Sequence, residues 1–260
     1  MSRLPIVFYG HGSPMVALEK SDVTRSWNAI AGRIGKPRAI LCISAHWQTR
    51  GTAVTAMAQP RTIHDFGAFP QALFDVQYPA PGDPDLAERV RELLEPMPVT
   101  MDANWGLDHG TWSVLVHAYP EADVPVIQLG MDLAKSPAEH WLVGRMLRPL
   151  RDEGVLIMGT GNIVHNLPAM DWANPLAAPY PWAEQFNGAM CKAIAEDDPK
   201  VVIDYEALGD AARLSVPSAD HFLPLLYVLG ARHEGEPAEF APHFIQHKSL
   251  SMTSVLIGAE

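Results

Sequence analysis

Several short segments of this chain are apolar at nearly every position: Pro5–Tyr9, Ala39–Ser44 and Val155–Gly159. A strand without polar alternation must be covered on both faces, which happens when helices pack on either side of a largely parallel sheet. Further strand-like runs at Thr52–Ala56, Val124–Leu129 and Ser251–Ile257 are rich in Val and Ile and bounded by Gly, Pro or Ser. Helical patterns lie between them. Pro84–Glu95 places Leu86, Val90, Leu93 and Leu94 on one face behind Asp83 as N-cap, and Ser136–Pro137–Ala138–Glu139 reads as a capping box with Pro at the first helical position. The alternation predicts an α/β fold, a three-layer α/β/α sandwich around a central, mostly parallel (mixed) sheet. At 260 residues the chain is expected to form a single domain, 1–260.

Composition narrows the function. The chain carries 19 basic and 30 acidic residues, a net charge of −11, and no Lys/Arg cluster, which argues against nucleic acid as a partner. No stretch approaches the ~20 apolar residues of a membrane span, so no membrane partner is expected. Its two cysteines, Cys42 in a predicted strand and Cys191 in a predicted helix, form neither a disulfide framework nor a thiolate cluster. A reducing, cytoplasmic location is expected. Oligomeric state is left open. Two stretches, 57–82 and 166–182, are rich in Pro and aromatics without periodicity, and long irregular segments of this kind often wall a site.

Where the apolar runs end, histidines follow. His11 lies in FYGHGSPM, His46 in LCISAHW, and His165 follows GVLIMGTG in GNIVHN. The carboxyl ends of parallel strands are where an α/β sheet presents reactive side chains. Three imidazoles there, in a chain nearly without cysteine, suggest a metal site of His and carboxylate with open positions for a reactant. His109 and His221 each follow an aspartate, and His221 opens an apolar helix. His64 is divided between lining a pocket with Phe66 and Phe69 and packing in a loop. His117, His140, His233, His243 and His247 read as surface or satisfied core imidazoles. The glycine-rich turn before His165 lacks a complete nucleotide-binding motif.

Taken in order, HGSPM, SAHW, LDHGTW, GTGNIVHNL and DHFLPLLY resemble the LigB-type class III extradiol ring-cleavage dioxygenases, and within them the DOPA-dioxygenase-like subgroup. The resemblance spans nearly the whole chain. It implies a non-haem Fe(II) enzyme that uses O2 to cleave the ring of a catechol beside its two hydroxyls, giving a ring-opened semialdehyde. Carried over by motif, His11 and His46 correspond to two metal ligands and His221 to the third. His165 corresponds to the acid–base residue and His109 to a substrate-facing one. Phe66, Phe69, Trp47 and Trp112 are expected as aromatic walls of the substrate pocket.

The chain departs from protocatechuate-type relatives in one respect. Those supply a carboxylate as third ligand, whereas His221 stands at that position here, with Asp220 beside it. Three imidazoles also suit Zn(II), which is expected to be able to occupy the site. Two other functions use the same residues: a zinc hydrolase that activates water, and a Memo-like metal-binding or redox protein. Oxygen consumption separates the first from a dioxygenase. Retention of a separate acid–base candidate argues against the second.

Overall fold

The computed structural model describes residues 3–259. Its strands, in chain order, are β1 (Ile6–Gly10), β2 (Ala39–Ser44), β3 (Gln48–Thr49), β4 (Thr52–Thr55), β5 (Val99–Asp102), β6 (Val126–Asp132), β7 (Val155–Gly161), β8 (Ala238–Phe240), β9 (Ile245–Gln246), β10 (Leu250–Ser251) and β11 (Val255–Ile257). Nine of them form one sheet in the order β5-β4-β6-β2-β7-β1-β11-β8, with β3 added against β6, and β9 and β10 pair separately. The centre is parallel: β2 lies between β6 and β7, and β1 follows β7. Antiparallel pairing enters where β4 meets β6 and where β11 meets β1 and β8. The α/β expectation is met, with a mixed sheet covered by helices on both sides.

The apolar runs are apolar throughout because their side chains alternate between two cores. Ile6 and Phe8, Leu41 and Ile43, and Val155 and Ile157 pack toward helices Pro84–Leu93, Pro137–Leu147, Pro181–Ala195 and Leu223–Gly230. Val7 and Tyr9, Ile40 and Cys42, and Leu156 and Met158 face helices Asp22–Ile34 and His109–Ala118. Every residue of β1, β2 and β7 is buried. At ~1.5–3 kcal/mol for each large side chain buried, these central strands are firmly held. Their carboxyl ends lie side by side, in the order β2, β7, β1.

Boundaries shift in instructive ways. The Ser136 capping box forms with Glu139, and Asp83 caps its helix through Leu86 N, as their sequences require. The Ser251–Ile257 run is instead broken into β10 and β11. Gly10 packs against the backbone of Met252 and Thr253, and Ser251 and Ser254 turn their hydroxyls to Asn187 and to Gly10 N. Strands β5, β8 and β9 are short and only partly buried, and carry no periodic signal. No helix among the described residues is long and apolar enough to cross a membrane.

His140 shows how the fold treats a core imidazole. Fully buried between helices Pro137–Leu147 and Leu223–Gly230, it hydrogen-bonds the Tyr227 hydroxyl through Nδ1 at 2.8 Å. Burial, reinforced by Lys135, pushes it down to about 4. The unfolded chain, with an ordinary histidine near 6.5, therefore binds this proton first as pH falls. Stability present above pH 6.5 should decline toward pH 4 by up to ~1.4 kcal/mol per pH unit from this group. Denaturation midpoints of the wild type and His140→Gln, followed from pH 7 to 4.5, are expected to converge as the pH drops. Parallel profiles would remove His140 as the cause.

Candidate metal centre and its cavity

One cavity of about 730 Å³ opens at the carboxyl ends of β1, β2 and β7, and six imidazoles line it: His11, His46, His109, His165, His221 and His247. His11 continues directly from β1, its N–H donating to Gly161 O at 3.1 Å. His46 stands two residues past β2, its N–H donating to Ser44 Oγ at 3.2 Å. His109 is the first residue of helix His109–Ala118, capped by Asp108. Asp108 is itself buried and accepts from Ser44 Oγ at 2.6 Å and Gln128 Nε2 at 2.7 Å, which ties the helix start to β2 and β6. His221 precedes helix Leu223–Gly230 by two residues, in a turn rather than in the helix's first turn.

Two glycines allow this crowding. A Cβ on Gly161 would lie 2.1 Å from His221 O, and one on Gly110 would lie 2.5 Å from Ser44 Oγ and 2.7 Å from His46 Cδ2. Any side chain there would drive His221 or His46 from its place. Gly10 likewise leaves room for the backbone of Met252 and Thr253, whose atoms would lie 2.6–2.9 Å from an added Cβ.

The ring geometry is specific. His11 Nε2 and His46 Nε2 face each other at 3.1 Å, close to the separation of adjacent ligands held at about 2.1 Å by one ion. Ring centres of His11, His46 and His221 are 5.3, 5.0 and 5.6 Å apart. His109 lies 3.8 Å from His46 and 6.1 Å from His11, and the donor nitrogens of His11, His46 and His109 lie within 4.8 Å of one another, a group that does not include His221. His165 stacks on His221, 3.5 Å away and 5° from parallel.

Electrostatics keep these rings available as donors of lone pairs. Burial first, then neighbouring imidazoles, pushes His11 and His46 well below the ordinary histidine value. Burial and His221 push His165 down to about 3, against the pull of Asp220. Two carboxylates stand behind the rings. Asp65 bonds His109 Nδ1 at 2.9 Å, and Asp220 bonds His221 Nδ1. Burial alone would raise both carboxyls, but these hydrogen bonds and the histidine charges outweigh it and hold them below their usual range. Neutral imidazoles at His11 and His46, beside rings held at the far nitrogen by carboxylates at His109 and His221, are the donor set of a metal site.

The expected aromatic walls divide. Phe69 lines the cavity. Phe66 stands behind His109, its ring centre 5.5 Å away, rather than in the lining. Trp47 and Trp112 are seated elsewhere: Trp47 is buried and stacks on Trp105, and Trp112 is buried with Nε1 donating to Ile63 O. Their large apolar faces found core packing. His64 packs in its loop, bonded to Val76 O. Sequence reasoning missed Asp65, whose neighbours in IHDF drew attention away from it, and His247, which bonds Asp171 O and lines the cavity. Irregular segment 166–182 does wall the cavity, through Leu167, Met170, Trp172, Pro175 and Leu176.

Comparisons with known proteins agree along the whole chain. The family profile described as the catalytic LigB subunit of aromatic ring-opening dioxygenase matches residues 5–258. A protein of Escherichia coli K12 named 4,5-DOPA dioxygenase extradiol is 49% identical over 264 residues, covering 99% of this chain and 96% of its own. One of the same name from Beta vulgaris is 38% identical over 240 residues, covering 89% and 88%. A crystal structure of an uncharacterized Escherichia coli K12 protein superposes with a TM-score of 0.86 at 44% identity, over 98% of this chain and 100% of that one.

The close approach at Gly161 is directly testable. Gly161→Ala should cost about 1–3 kcal/mol by overpacking, read from chemical denaturation. Gly188→Ala, in the interior of helix Pro181–Ala195 with nothing within 4 Å of the added atom, should instead add about 0.5–1 kcal/mol.

Proposed function

This chain belongs to the LigB family of aromatic ring-opening dioxygenases, and from that premise we propose that it binds Fe(II) through His11, His46 and His221 and cleaves a catechol, DOPA-like or otherwise substituted. As an enzyme it is an extradiol ring-cleaving dioxygenase. The ligand set rests on one observation, the mutual spacing of those three rings at 5.0–5.6 Å. Three imidazoles on one ion at about 2.1 Å have ring centres roughly 4.6–5.6 Å apart. The ring centre of His109 departs from that spacing, nearer His46 and farther from His11, while its donor nitrogen still lies within 4.8 Å of theirs, so the metal content of its variant decides between His109 and His221. Zn(II) suits the same nitrogens and would compete with iron for the site.

When bound, Fe(II) supplies the one-electron chemistry that allows O2 to react with an aromatic ring. The protein supplies orientation and proton transfer. His165, partly buried and with its pKa pushed down by desolvation and His221, stacks against His221 in the same cavity. There it accepts a phenolic proton as the catechol binds and returns one as the ring opens. His109 is fixed by Asp65 at Nδ1, which directs its Nε2 into the cavity as a hydrogen-bonding partner for substrate. Buried walls on β1, β2 and β7 limit water around the reacting groups.

Three measurements test this reading. His11→Ala and His221→Ala should lower metal content at least tenfold by elemental analysis, whereas His109→Ala should retain it. His165→Ala should keep its metal and lose ~10²–10⁴-fold in kcat. Protein loaded with Fe(II) without oxygen, then exposed to air with catechols, should consume O2 and form a coloured ring-opened product. No uptake with any catechol would overturn the assignment.

A further inference from the structure

Of the imidazoles that line the cavity, His247 alone comes from the turn between β9 and β10. Both central residues of that turn have left-handed backbone, His247 at φ +49° and Lys248 at φ +66°, and Ser249 N–H closes it by donating to Gln246 O at 3.2 Å. Asn and Gly fill such a pair most readily, and other side chains cost backbone energy there. The turn also grips the wall segment 166–182. His247 N–H donates to Pro175 O at 2.9 Å, while His247 O and Lys248 O accept from Asp171 N and Tyr180 N at 3.0 and 3.1 Å. Any residue at 247 would make these backbone bonds, so they explain the turn and not its imidazole. A costly conformation kept at a cavity wall points to a use for the side chain.

The ring has a defined polarity. Its Nδ1 lies 3.0 Å from Asp171 O, and a carbonyl only accepts, so Nδ1 carries the proton. In the neutral ring Nε2 then holds a lone pair, without a partner among the described residues, and it pairs with a group that brings a proton. Its surroundings favour a cationic one. The Trp172 ring centre is 5.5 Å from that of His247 and the side chain is 65% exposed, and an indole face attracts ammonium. Glu19 is the only carboxylate among the described lining residues, and none of them is Lys or Arg. Lys248 directs its charge to Asp171, 3.6 Å away, and to the Tyr180 ring. Ser13, Ser21 and Gln246 add neutral hydrogen-bonding groups to the wall.

Resting on the catechol reading above, we propose that His247 is a specificity-determining residue that receives the ammonium group of an amine- or amino-acid-bearing catechol, with Trp172 beside it. His247→Asn removes the ring and keeps a residue that tolerates left-handed backbone. Its denaturation midpoint should therefore match or exceed that of the wild type. In anaerobic calorimetry on Zn(II)-loaded protein, the wild type should bind DOPA and dopamine at least about tenfold more tightly than 4-ethylcatechol. His247→Asn should lose most of that advantage, while 4-ethylcatechol changes by less than about twofold. Binding of 3-(3,4-dihydroxyphenyl)propionate, which has a carboxylate and no ammonium, should not respond to the substitution. In the iron-loaded enzyme the losses should fall in KM rather than kcat. An undiminished amine preference in the variant, or a propionate that loses as much as DOPA, would overturn the proposal. A lowered denaturation midpoint would make His247 structural and overturn it equally. The expected binding order without O2 uptake would uphold His247 and strike the dioxygenase reading alone, and binding of no catechol would overturn both.

Discussion

Asn162 sits buried at the carboxyl end of β7, where its side-chain amide donates to His11 O at 2.6 Å and to Ser251 O at 2.8 Å. Its backbone N–H donates to His221 O at 2.8 Å. Three segments far apart in the chain are thereby fastened to one strand end, and two of them carry imidazoles of the proposed metal site. The joint closes only because Gly161, one residue earlier, has no side chain to hold His221 away. Backbone hydrogen bonds inside a protein are costly to leave unmade. Losing this set would release His221 and the approach of β10 together.

Around that joint the protein gathers groups that would repel one another if charged. Six imidazoles share one cavity, and a proton on His11, His46 or His165 is disfavoured by burial and by neighbouring imidazoles. Burial therefore favours the neutral form of these three rings, and neutral imidazole is the form that binds a cation. Asp65 and Asp220 complete the arrangement from behind, fixing which nitrogen of His109 and His221 faces the cavity. The same desolvation that would make an unpaired charge expensive here prepares the site for a divalent ion.

Much of this was legible in the residue order. Unbroken apolar runs announced a sheet covered on both faces, and the glycine and serine at their ends marked where polar groups would emerge. His11, His46 and His165 could be placed by that logic because strand position controls them directly. His221 could not, since it lies in a turn before a helix and reaches the site through packing against Gly161. The aromatic walls were the least legible. Trp47, Trp112 and Trp172 look alike in sequence, yet the first two pack in the core and the third lines the cavity. A large apolar ring serves either purpose, and only its neighbours decide which.

The sequence by itself determined the α/β architecture, the family and the strand-end histidines, because periodicity and local motifs act over a few residues and survive without knowledge of distant contacts. Tertiary structure decided which five imidazoles meet around the proposed centre and which carboxylates stand behind them. It also decided that segment 166–182 lines the same cavity. Those outcomes depend on groups more than a hundred residues apart being brought within a few ångströms, as Asn162 is with His11. Backbone hydrogen bonding and close packing at β7 set that geometry, and neither can be read from spacing along the chain.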